Sequence, residues 1–97
     1  MSIDMDTKWQ IQQGCSLLYK FWDYECAIFD VASGDTHLLD QLSAEALRCL
    51  EASPSSPMEI VRQVSHVFEL EVDQKLIDHI NSLIAKLHNL NLIEPIQ

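Results

Sequence analysis

Ninety-seven residues with 47% apolar side chains form one domain around a single core, and a second domain is excluded. A chain this short buries roughly two-thirds of the surface it exposes when unfolded, which leaves room for a surface site and argues against a deep enclosed active site. Six Lys and Arg against fifteen Asp and Glu give a formal net charge of -9, with no basic run to neutralise a phosphate backbone, so no nucleic-acid partner is expected.

The start, Met1 to Asp6, has neither a basic n-region nor an apolar h-region, and no apolar run approaches the roughly 18 residues of a membrane span. The expectation is a soluble cytoplasmic protein with no membrane partner. Cys15, Cys26 and Cys49 contain no Cys-x-x-Cys, and His37, His66, His79 and His88 show no ligand spacing against them. Metal and cofactors are therefore not expected, and the thiols read as small apolar residues of a reducing compartment.

In chain order, Lys8 to Gln12 alternates polar and apolar residues and reads as a short strand or a packed arm, stopped by Gly14. Leu17 to Trp22 and Glu25 to Asp30 are β-favouring runs on either side of a tight turn. Ala32 to Asp35 is a turn in which Gly34 supplies a positive φ, and Thr36 to Leu39 reads as a third strand. Sequential antiparallel strands form a meander whose third strand lies at an edge.

Ser43 is a possible N-cap for a first helix over about 43–52, with Leu42 and Leu47 as its hydrophobic staple. Ser56-Pro57-Met58-Glu59 is a capping box with Pro at the first helical position, opening a helix over about 57–68 whose stripe is Ile60, Val64, Val67 and Phe68. Asp73 caps the third helix, about 73–89, along a seam of Leu76, Ile80, Leu83, Leu87 and Leu90. Ile77 and Ile84 project about 80 to 100° to one side of that seam at 3.6 residues per turn. They can serve a groove or the core. Asn91 to Pro95 reads as a short extended tail in which Pro95 stops any pairing.

The order of strands within about 8–39 followed by three helices describes an α+β, winged helix-turn-helix-like domain over 1–97: a three-stranded antiparallel sheet, then three helices. Phe21-Trp22-Asp23, Ala27-Ile28-Phe29-Asp30 and Ser33-Gly34-Asp35-Thr36-His37-Leu38-Leu39 are similar to words of the PqqD-like peptide chaperones, closest to the branch found with HPr-kinase-related proteins. The resemblance continues through Ser43 to Leu47 and the closing Leu92-Ile93-Glu94-Pro95. It departs at Asn89 to Leu92, where such chains often carry Gly, although Asn91 also accepts a positive φ.

The resemblance implies a non-catalytic recognition element that binds the leader of a ribosomally made precursor peptide and presents it to a peptide-modifying enzyme. It further implies that the peptide adds as a strand to the third strand, in a groove against the third helix. Thr36, His37, Leu38 and Leu39 match the strand, and Ile77, Asn81, Ile84 and His88 are assigned to the helix wall. An exposed strand edge offers sequence-tolerant backbone bonds, and apolar pockets beside it offer specificity.

His37 is not expected to be catalytic. No nucleophile motif or phosphate loop is present, and the carboxylates are dispersed. A winged-helix DNA-binding regulator shares this element order. Its reading helix would carry only Lys75 and Lys86, with no Arg for guanine. A self-associating protein is the third reading, since an edge strand and an apolar groove can satisfy each other in a homodimer.

Overall fold

The computed structural model describes residues 5–96; Met1 to Asp4, most of the stretch read for a targeting signal, and Gln97 lie outside the described residues. The elements are β1 (Trp9–Ile11), β2 (Leu17–Phe21), β3 (Glu25–Asp30), β4 (Thr36–Asp40), α1 (Gln41–Ala52), α2 (Pro57–Phe68), α3 (Gln74–Asn89) and β5 (Ile93–Pro95). The antiparallel meander β2-β3-β4 followed by three helices is the winged helix-turn-helix-like arrangement that the sequence predicts. No helix among the described residues is long and apolar enough to cross a membrane.

Paired residues share a sheet face, so the register sorts the meander into two surfaces. Leu17, Tyr19 and Phe21 lie opposite Asp30, Ile28 and Cys26, which in turn face His37 and Leu39 across β4. This inner face is covered by α1: the Tyr19 hydroxyl donates to Glu51, and Arg48 stands 5.8 Å over the Phe21 ring. Burial, together with the Glu51 carboxylate, pushes the Tyr19 phenol up. Ile28, Leu47, Ile60, Ile80, Ile84 and Leu87 are fully buried at the centre of the core. Each such side chain stabilises the fold by roughly 1.5–3 kcal/mol relative to exposure.

The arm at the start of the chain is a strand, and it pairs with the tail. Trp9, Gln10 and Ile11 lie opposite Pro95, Glu94 and Ile93. Contrary to expectation, Pro95 does not stop the pairing: the Ile96 amide donates to Lys8 at 2.8 Å. The reason is register. Trp9 turns its own amide and carbonyl away from β5 and exchanges both with Ser55, at 2.8 and 3.0 Å. The Trp9–Pro95 pair is therefore a non-hydrogen-bonded one, in which the missing proline N–H leaves no acceptor unpaired.

The helix starts follow capping chemistry, with one correction. The α2 capping box forms in both directions, Glu59 amide to Ser56 hydroxyl at 3.3 Å and Ser56 amide to the Glu59 carboxylate at 3.0 Å. Asp73 caps α3 through the Leu76 amide at 2.9 Å. The α1 cap, however, is Asp40 rather than Ser43: its carboxylate accepts from the Ser43 amide at 2.8 Å. Strand β4 runs into α1 without a loop, so the last strand residue serves as the cap. Ser43 is left buried in the first turn, and Leu42 lies inside the helix against the core rather than forming a staple outside it. Asn91 takes the positive φ expected of it, 61°, and closes the end of α3 by donating to the His88 carbonyl.

Candidate functional site

Strand β4 is the edge of the meander, and its outer side pairs with no strand among the described residues. The bond pattern fixes which of its backbone groups are free. The Asp30 amide donates to the Asp35 carbonyl at 2.9 Å, so Asp30 and Asp35 form a hydrogen-bonded pair. Alternation then makes Ile28–His37 and Cys26–Leu39 hydrogen-bonded pairs as well. Thr36 and Leu38 consequently point their N–H and C=O groups away from the sheet, and the Asp40 N–H points the same way.

Two side-chain networks hold the ends of this edge. At its start the buried Asp30 carboxylate accepts from the Ser16 amide (3.1 Å), the Ala32 amide (3.1 Å) and the Ser33 hydroxyl (3.0 Å). The Ser16 amide is the main cause holding that carboxyl below its ordinary range, helped by Ser33 and Ala32 against the opposing effect of burial. At its end, burial pushes Asp40 up, but the Ser43 amide and hydroxyl, with His79 and Lys86, outweigh it and hold the carboxyl down. The Gln41 amide group also reaches the Asp23 carbonyl at 2.6 Å, tying the start of α1 to the β2–β3 turn.

Helix α3 forms the opposite wall. His79 Nε2 lies 4.0 Å from the Asp40 carboxylate, and Lys86 is close enough for its charge to act on the same group. Farther along, Leu90 and His37 line one depression of about 360 Å³ with Asn91 and Asp35. His79, Leu83, Lys86 and Leu90 follow one helical stripe, so this flank of α3 faces β4. Beyond the Asp40 end, Leu42, Leu70, Leu76 and His79 line an open depression of about 560 Å³, with Tyr24 and Phe68 in an adjoining one.

The residues expected at the site divide accordingly. Thr36 and Leu38 are exposed on the edge strand, His37 is half-buried towards α3, and Leu39 is core. Ile77, Asn81, Ile84 and His88 occupy the other flank of α3, about 160° round the helix from the stripe facing β4 at 100° per residue. Ile84 is 0% exposed and Ile77 packs against the core. His88 meets the Trp9 ring edge-on at 5.2 Å. Asn81 is half-buried, with a carbonyl oxygen that has no hydrogen-bond partner among the described residues. The structure does not bring these four to β4. His79, Lys86 and Leu90 stand there instead, and sequence reasoning missed them: their i, i+7, i+11 spacing was visible, but nothing local states which flank of a helix meets a sheet.

Comparison with known proteins places the fold. No family model matches the chain. No curated protein matches it either. A solved structure does, titled "TbiB1 in Complex with the TbiA(beta) Leader Peptide", with a TM-score of 0.64, 22% identity, and coverage of 88% of this chain and 94% of that one. The two chains share a fold. That neighbour spans nearly the same elements, so the resemblance concerns the whole domain rather than one helix pair.

Proposed function

We propose that the chain is a non-catalytic peptide-binding adaptor of the PqqD-like kind, which holds the leader of a ribosomally made precursor peptide and presents it to a cytoplasmic modifying enzyme. The observation that carries this reading is the open β4 edge facing the His79, Leu83, Lys86 and Leu90 flank of α3. An extended segment added there takes backbone bonds from Thr36 and Leu38, and its alternate side chains enter the cleft and its terminal depressions. The fold neighbour was solved with a leader peptide, which supports the reading. Thr36, His37 and Leu38 supply the strand side of the site, and Leu39 anchors that strand in the core.

The test is an NMR titration of the labelled chain with leader segments of candidate precursor peptides. Shifts at 36–40 together with 79, 83, 86 and 90 are expected. Shifts on 77, 81, 84 and 88 without the β4 edge would instead place the peptide on the Trp9 flank and sink strand addition. A proline at Leu38 removes an outward N–H while leaving the internal ladder intact, and it is expected to abolish binding in a folded chain.

A further inference from the structure

A peptide lying along β4 directs only every second side chain into the cleft, and the register says where the others go. Residues directly opposite one another share a sheet face, whichever way the added strand runs. His37 belongs to the inner face, in one row with Ile28 and Tyr19, so a peptide residue across from it enters the cleft on the α3 side. Residues across from Thr36 and Leu38 stand on the outer face instead. Two rows of that face end at the open edge: Leu18, Phe29 and Thr36 in one, Lys20, Ala27 and Leu38 in the other. Leu38 is the uncovered end of its row, at 64% exposed. Ala27 beside it offers a single methyl group, and the Lys20 ammonium is drawn aside over the Trp22 ring at 5.5 Å. Leu18 is exposed too, but has Phe29 directly across from it. The two edges of the meander also differ within this row. Strand β2 presents Lys20, the kind of charge that blunts an edge against pairing, whereas β4 presents Leu38 between its free N–H and C=O groups.

Resting on the peptide reading above, we infer that the added strand is read on both of its faces, and that the residue across from Leu38 is an apolar specificity position on the outer side of the sheet. Directly opposite residues have Cβ atoms about 5 Å apart, which lets a β-branched, Leu or aromatic side chain pack on Leu38, with the Phe29 ring within reach on the diagonal. The same strand that takes the free backbone bonds of Leu38 thereby covers its side chain, and no further partner is needed for that contact. A charged or short polar residue there leaves Leu38 in water. The residue across from Thr36, two positions away on the same face, meets a hydroxyl and discriminates less. The segment this chain selects therefore carries an apolar residue immediately next to one that enters the cleft, out of step with the cleft-facing set.

The test selects displayed random nonapeptides on the full chain and titrates a recovered peptide, made synthetically, against the isotope-labelled chain. Cross-peaks between the Leu38 methyl groups and one apolar peptide side chain are expected, with shifts at Phe29. Serine at that peptide position is expected to weaken binding about threefold to the unaltered chain and not to the Leu38→Thr chain, which keeps the outward N–H and C=O and a β-favouring residue. Serine across from Thr36 is expected to weaken binding less than this. Equal losses in the two chains overturn the inference, as does a bound peptide whose outward side chains make no contact with Leu38. In both of those cases the shifts on β4 and α3 persist, so the peptide reading stands. If no recovered peptide marks β4, the peptide reading and this inference fall together. Concentration-dependent shifts at Leu18, Phe29 and Leu38 before any peptide is added assign the face to a second copy and overturn the inference.

Discussion

The chain contains two small antiparallel sheets, and they differ in how their edges end. In the β1–β5 pair, β1 is bonded on both sides, to β5 along its length and to Ser55 through Trp9, and even the proline falls where no bond is needed. In the meander, β4 is satisfied on one side only. Nothing about strand length explains this, since the open strand is the longer of the two. A closed edge ties residues near the two ends of the chain into the core, whereas an open edge retains backbone donors and acceptors for a second chain. The prediction is a division of labour: damage to the closed sheet reads out in stability, and damage to the open edge reads out in binding.

Trp9→Ala tests the closed side most severely. Its ring is 7% exposed and rests against His88, and removing a buried Trp costs about 3–5 kcal/mol. Urea unfolding measures this, and a loss below about 1 kcal/mol would deny β1 its structural role. A matched pair of prolines probes the open side. His37→Pro removes an amide directed at β3 and leaves a buried carbonyl unpaired, for about 1–3 kcal/mol. Leu38→Pro removes an amide directed outward. It is expected to leave stability within about 1 kcal/mol, because proline's fixed φ lies inside the broad β region. Equal destabilisation by the two would mean that the β4 edge is not free.

Helix caps give the next smaller effect. Ser56→Ala and Asp40→Ala each remove a cap and are expected to cost about 1 kcal/mol in thermal or urea unfolding. They should differ in where the loss appears. Ser56 joins α2 to the bridge beside Trp9, so its loss loosens the closed side, whereas Asp40 ends β4 and meets His79, so its loss loosens the cleft. Hydrogen exchange at residues 36–43 separates them. Protection there that falls equally in both variants would contradict the assignment of Asp40 as the α1 cap.

Features written within a few residues were legible. The Ser56 to Glu59 box, the Asp73 cap, the Asn91 turn and the meander all follow from local spacing, and each is where it was expected. Features settled by distant partners were not. The strand character of Trp9 to Ile11 depends on residues more than eighty positions away, and the harmlessness of Pro95 depends on Ser55. Ser43 and Asp40 are both good caps, and only the absence of a loop after β4 decides between them. On α3, Ile77 and Ile84 made one flank look like a groove because apolar residues suit a groove and a core equally. The flank that meets β4 carries His79 and Lys86, which read in isolation as solvated surface.

The smallest effect also compares the two sheets, through acid. Asp30 and Asp40 bracket β4, and both carboxyls are held below their ordinary values, Asp30 first by the Ser16 amide and Asp40 by the Ser43 bonds that overcome its burial. A depressed folded-state pKa means that the unfolded chain takes up the proton first. The contribution is therefore fully present above the unfolded carboxyl value of about 3.9 and is lost as pH falls through the lower folded value. Glu59 behaves alike through the Ser56 amide and Lys8, so α2 loses its box in the same window. Amides at 30–43 are expected to lose exchange protection below about pH 4, while Gln10 and Gln12 stay protected by their bonds to β5 and the residue before it. If both sheets open at one pH in a single step, the bonds of Asp30 and Asp40 do not limit β4, and the open strand is held by its inner-face contacts with Ile28 and Cys26 alone.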